Sequence, residues 1–218
     1  MPHNIDYNII ILSTVFNTKD PLFIEDLSKA LREAGYIIPE SLSMEYGKFQ
    51  IEDKRIASGK EFDILYDPTV AALFTVSESP KGRYKEFEKL NKIVSDLGVD
   101  LDEILRSYEL IIEANIKTKV DPQKAINNYF KECQSNVFSN LINEESKNFS
   151  INLVQEKGTP ENKDWHDLLI RPLSKRHYLF KLVYRRHNLD SFKEKADNIE
   201  EIMDQVSEIL TKLEGKKK

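Results

Sequence analysis

Tyr7-Asn8-Ile9-Ile10-Ile11 returns as Tyr108-Glu109-Leu110-Ile111-Ile112, and the same spacing of 101 residues carries Asp20-Pro21 onto Asp121-Pro122. Further along, Phe62-Asp63-Ile64-Leu65-Tyr66-Asp67-Pro68 matches His166-Asp167-Leu168-Leu169-Ile170-Arg171-Pro172 at a spacing of 104. Phe87, Val94, Leu97, Leu101 and Leu105 then fall on Phe192, Ile199, Ile202, Val206 and Leu210 at 105. Four segments in conserved order, with a spacing that grows slowly, are what loop insertions leave between two copies of one unit. The 218 residues are therefore read as two repeats, 1–106 and 107–218, forming one pseudo-two-fold structural unit.

Periodicity gives each repeat its elements. Residues 9–16 are rich in β-branched side chains and end at Asn17, which predicts a strand. Asp20-Pro21 sets a capping residue before a proline, and Ile24, Leu27, Ala30 and Leu31 make one apolar face, which predicts a helix ending at Gly35. Strands are expected near 46–51, 61–66 and 70–77, with 54–59 as a connection. A helix follows from about Lys81, with Phe87, Leu90, Val94 and Leu97 at steps of three and four. Asp100 and Glu103 read as a capping box opening a short helical turn. The second repeat is expected to run strand 108–118, helix 122–134, strands 147–155, 165–171 and 176–186, and one long helix 190–213.

Each unit is thus β-α-β-β-β-α, an α+β arrangement of antiparallel strands whose helices cover one sheet face. Two units joined edge to edge give one curved sheet. At the level of topology this resembles TATA-binding-protein-like and helix-grip folds. No sequence motif of either is matched, so the resemblance brings no residue and no activity.

Composition narrows the classes further. The chain is 40% hydrophobic and 32% charged with a formal net charge of -5, which excludes a disordered chain. No apolar run approaches the ~20 residues of a membrane span. Residues 1–8 carry no Lys or Arg ahead of the apolar stretch, so a cytoplasmic protein without membrane attachment is expected. The single Cys133 excludes an intramolecular disulfide and is read as a small buried apolar residue. Seven glycines, none close enough together to cradle phosphate, and the absence of Walker, dinucleotide, Gly-x-Ser-x-Gly and His-Glu-x-x-His patterns leave no recognisable catalytic motif. No cofactor and no metal site is expected. His3 is read as part of a mobile terminus, and His166, Asp167, His177 and His187 do not combine, because strand alternation puts His166 and Asp167 on opposite faces.

One region departs from the average. Between Leu168 and Leu189 there is no acidic residue, while Arg171, Lys175, Arg176, Lys181, Arg185 and Arg186 supply six positive charges. The first repeat has 13 basic and 19 acidic residues and the second 19 and 18, so -5 is the sum of -6 and +1. Alternation points Tyr178, Phe180, Leu182 and Tyr184 to the core and Lys175, His177, Lys181 and Arg185 to the other face. A hairpin turning at Pro172-Leu173-Ser174 adds Trp165, Asp167 and Arg171 to that face. In the first repeat, Thr75, Ser77 and Ser79 are read as standing where Lys181, Val183 and Arg185 stand in the second. The candidate binding residues are Trp165, Arg171, Lys175, His177, Lys181 and Arg185, the cations for negative charge and the indole for stacking. A basic strip confined to one half argues against a two-fold grip on duplex DNA.

The favoured reading is a binding or interaction protein using its open sheet face, with single-stranded nucleic acid or an acidic protein as partner. One alternative is a small-molecule binder or enzyme with a pocket between the repeats. Another is an oligomerising structural subunit: Phe192, Ala196, Ile199, Met203, Val206, Leu210 and Leu213 form a seam that suits either the sheet or a homodimer through helix 190–213.

Overall fold

In the computed structural model, residues 3–17, 22–39, 54–130 and 148–215 are described. Their strands are β1 (Asn4–Phe16), β2 (Arg55–Ser58), β3 (Asp63–Asp67), β4 (Ala72–Ser77), β5 (Leu105–Lys117), β6 (Ile151–Val154), β7 (Trp165–Ser174) and β8 (His177–Arg186). The helices are α1 (Ile24–Glu33), α2 (Arg83–Asp96), α3 (Leu101–Ile104), α4 (Pro122–Tyr129), α5 (Leu189–Ala196) and α6 (Ile199–Leu213). All eight strands form one antiparallel sheet in the order β2-β3-β4-β1-β5-β8-β7-β6. Read inward from either edge, the second, third and fourth strands of a half precede its first, so β1 and β5 meet at the centre.

The described helices all lie on one face, which makes this an α+β fold. Alternate residues of β1 and β5, among them Ile10, Leu12, Leu110, Ile112, Ala114 and Ile116, are at most 1% exposed and pack with α2, α5 and α6. A second cluster, with Ile56, Ile64, Tyr66 and Leu73 under Leu27 and Leu31 of α1 and Leu90 and Val94 of α2, fills the β2–β4 side. At the junction Phe87 and Phe192, matched in the sequence, meet with ring centroids 5.6 Å apart, and Tyr84 and Tyr108 close the group around Phe192. Fully burying side chains of this size contributes roughly 1.5–3 kcal/mol each, so this junction adds to the cohesion that the β1–β5 pairing gives the halves.

Local chemistry explains several boundaries. Asp121 caps α4, its carboxylate accepting from the Gln123 and Lys124 amides, with Pro122 in the first turn. Asp100 caps α3 in the same way. The equivalent Asp20-Pro21 lies outside the described residues, and α1 starts only at Ile24, with Phe23 as its N-cap and no side-chain cap. The expected strand 46–51, the end of helix 122–134 and Cys133 also lie outside them.

Four expectations are corrected. Residues 54–59 are not a connection: Lys54 takes a left-handed φ of 61° and the chain then enters β2. The β7–β8 turn is at Lys175-Arg176, not at Pro172-Leu173-Ser174. The strand runs on past Pro172, which still pairs with Tyr178, and the register shift before Ser174 takes up Leu173 as the extra residue. The last helix is two, α5 and α6, broken at Asp197-Asn198, where the Asn198 side chain donates to the Glu194 carbonyl and competes with helix continuation. Finally, the ungapped match of residues 7–11 with 108–112 does not preserve faces. It sets buried Ile10 on half-exposed Ile111. Since Ile10 pairs with Ile112 and Ile11 with Ile111, only an even spacing superposes like faces, and a register shift between Tyr7 and Ile9 supplies the missing step.

Candidate binding surface

On the face that the described helices leave uncovered, β7 and β8 present Arg171 and Lys181 as exposed cations. The antiparallel register puts Lys181 between Glu113 of β5 and Leu169 of β7, and Arg171 opposite Leu179. Towards the β7–β8 turn the acidic neighbours fall away. Lys117 pairs with His177 at the end of β5, the Thr118 amide donates to the Arg176 carbonyl at 2.9 Å, and Arg176 Nη1 donates to the Lys119 carbonyl at 2.7 Å. The 117–119 segment is thereby stitched to the turn, and Lys117, Lys119, Arg171, Lys175, Arg176 and Lys181 share one end of the sheet. None of the six makes an ion pair among the described residues.

The six residues singled out in the sequence divide into two groups. Arg171, Lys175, His177 and Lys181 stand at this basic end. His177 is half-buried, its Nδ1 hydrogen-bonded with the Ser174 hydroxyl at 3.0 Å. Arg185 and Trp165 are cross-strand partners at the other end of the hairpin. Arg185 is committed internally: Nε donates to Glu109 Oε1 at 2.5 Å, and Nη1 donates to the carbonyls of Pro160 and Asn162. Trp165 is only 8% exposed, so its indole offers no broad stacking surface. Arg186 lies over the Tyr184 ring at 4.0 Å. The basic strip is therefore not continuous along β8. Glu109 and Glu113 of β5 interrupt it, and its free part is the turn end.

Lys117 and Lys119 escaped the sequence reading. Lys117 lies inside the predicted strand 108–118 and Lys119 just past it, and placing that strand against β8 would have brought both to the turn. Beside the cations the same face is apolar: Ile9, Ile11, Ile111, Leu169 and Val183 are half-exposed, and in the first half so are Leu65, Phe74 and Val76.

The histidines do not converge. His166 points to the helix side, and burial, reinforced by the Arg186 charge, lowers its pKa against the opposing pull of Asp167. His187 contacts the Arg106 carbonyl. His3, expected in a mobile terminus, is instead packed, its Nδ1 on Ser207 Oγ and its Nε2 on Glu214 Oε1 at 2.8 and 3.2 Å. Among the described residues no group of three or more His, Cys, Asp or Glu is placed to hold a metal ion. No described helix is long and apolar enough to cross a membrane. The α6 positions Ile199, Met203, Val206, Leu210 and Leu213 are buried in the protein's own core, which occupies the face read as a dimer seam; Ile209 is exposed.

No protein-family model and no curated protein matches this sequence. Among solved structures, a TBP from Methanococcus jannaschii is similar over 94% of this chain and 99% of that one, at 11% identity and a TM-score of 0.35. Similarity at that level carries no information about ligand or function.

Proposed function

We propose that this chain is a duplicated binding module that receives an acidic segment of a partner protein at the β7–β8 turn end of its sheet. The observation that carries the reading is the cluster of Lys117, Lys119, Arg171, Lys175, Arg176 and Lys181, exposed and without ion pairs among the described residues, in a chain of net charge -5. Unpaired like charges held together raise the local potential and attract an opposite charge, an effect that salt screens over about 8–10 Å. Aliphatic Leu169, Val183 and Ile111 lie alongside, and apolar contact next to charge complementarity is the usual composition of a protein interface. Single-stranded nucleic acid is the less favoured partner, because the indole that would stack a base is buried.

The test is binding of a Glu- and Leu-rich peptide and of an oligothymidine, each at low and at physiological salt. The expected result is peptide binding that weakens with salt and falls at least about tenfold in Lys175→Glu with Arg176→Glu. Preferential binding of the oligothymidine moves the assignment to nucleic acid. No binding of either at about 100 μM protein overturns the proposal.

A further inference from the structure

The uncovered sheet face carries an unbroken aliphatic row across its middle. The pairings of β4, β1, β5 and β8 set Val76, Ile11, Ile111 and Val183 side by side, each half-exposed, with Asp63 and Asp167 at the two ends. One step towards the β7–β8 turn, half-exposed Ile9 and Leu169 continue the apolar surface. A face six strands wide, from β3 across to β7, and about seven residues long covers roughly 600 Å². That approaches the ~800 Å² a standard interface takes from each partner, and apolar surface on this scale marks an interaction site.

Charge decides the occupant. At the β7–β8 turn end the second half presents the unpaired cations already described, with Lys181 two residues from Val183 along β8. At the same end of the sheet the first half is acidic. Exposed Glu78 stands two residues from Val76, and exposed Asp6 lies further along β1; neither makes an ion pair among the described residues. Beside Glu78 is an open hollow of about 560 Å³, bounded by Ile9, Glu61, Asp63 and Val76, with Lys60 as its one cation. Asp63 accepts from the Ser58 hydroxyl at 2.6 Å and Glu61 lies 3.5 Å from Arg83 Nη2, which leaves Glu78 as the free carboxylate of the hollow.

We propose that this face is covered by the same face of a second copy of the chain, about a two-fold axis running along β1 and β5. The proposal rests on the reading of the basic end as the receiver of an acidic protein segment and names the source of that segment. Such an axis lays β1 on the partner's β5 and β4 on the partner's β8 without exchanging the two ends of the sheet. The acidic end of each first half therefore meets the basic end of the other copy's second half. Val76 and Ile11 meet the partner's Val183 and Ile111, and Glu78 meets the partner's Lys181, twice by symmetry. Strands stay aligned, as in packed sheets generally, and the crossing of about 30° keeps this register near the axis while carrying Asp63 and Asp167 out of line. The contact is isologous and closes at two copies.

Sedimentation of the full chain between about 1 and 200 μM tests it. The expected result is a monomer–dimer equilibrium whose dissociation constant rises at least about tenfold between about 0.05 and 0.5 M salt. Glu78→Lys and Lys181→Glu, both at exposed positions, should each weaken the dimer at least about tenfold by opposing like charges. An equimolar mixture of the two variants should recover dimers to within about threefold, because both mixed contacts again join opposite charges. The proposal is overturned by a chain that stays monomeric at about 200 μM, by a dimer that neither variant weakens, or by a mixture that does not recover. Acidic-peptide titration separates this from the reading beneath it. Peptide binding by a chain that never dimerises overturns the second copy alone. Recovered dimers with no peptide binding by Glu78→Lys overturn other acidic segments and leave the second copy as the occupant.

Discussion

On the face that the described helices leave uncovered, β4 presents Phe74 and Val76 where β8 presents Lys181 and Val183, and β3 presents Asp63 and Leu65 where β7 presents Asp167, Leu169 and Arg171. Thr75 and Ser77, which the sequence sets against Lys181 and Val183, lie on the other face: Thr75 pairs with buried Leu12 and Ser77 with buried Ile10. The halves therefore share a helix-covered apolar side and differ on the opposite one, aliphatic and aromatic in the first half, basic at one end in the second. Cations in the first half collect instead at the start of α2. A buried face is constrained by packing at every position, so it leaves little room for divergence, while exposed positions and turns are free to carry charge.

The contrast can be broken at its foundation first. Phe192→Ala, at the aromatic junction where the halves meet, should lower stability by about 3–5 kcal/mol in urea unfolding, with both halves affected in one transition. Two separate transitions would show that the halves do not depend on this junction. Glu109→Gln next removes the carboxylate that holds Arg185, both side chains being under 20% exposed. Leaving that guanidinium short of its partner should cost about 1–3 kcal/mol while tightening acidic-peptide binding slightly, because one cation is released to the face. Unchanged stability would mean that Arg185 is held by the 160–162 carbonyls alone.

A smaller effect is expected at Asp67, where the Lys54 ammonium, helped by the Thr69 hydroxyl, holds the carboxyl down at about 2. A carboxyl depressed in the folded state stabilises fully above its unfolded pKa of about 4, and the contribution is lost as pH falls through about 2. Asp67→Asn should flatten that acid limb of the stability profile and leave pH 7 binding at the β7–β8 end unchanged. An identical acid limb in the variant would contradict the assignment.

Much of the scaffold is legible because it rests on local signals. Asp121-Pro122 marks the start of α4, Asp100 that of α3, and the apolar spacing around Phe87 and Val94 gives α2 its buried side. What escaped depends on pairing between distant residues. The register shift at Asn8 moves every following side chain of β1 to the other face, yet leaves no turn or glycine in Ile9-Ile10-Ile11 to announce it. The same holds for the surface. Alternation along β8 correctly separates Lys181 from Phe180. That Glu109 neutralises Arg185, and that Lys117 and Lys119 complete the basic end, follows only from the β5–β8 register. Trp165 reads as available because its face is uncovered by helices, but a side chain on such a face can still be buried by its neighbours.

The most direct test of the central assignment is to map an acidic Leu-containing peptide onto the full chain by amide chemical shifts at low salt. The account predicts perturbations concentrated at residues 117–119 and 171–181, lost on Lys175→Glu with Arg176→Glu. Perturbations centred instead on residues 60 and 81–89, or spread evenly over the surface, would contradict it.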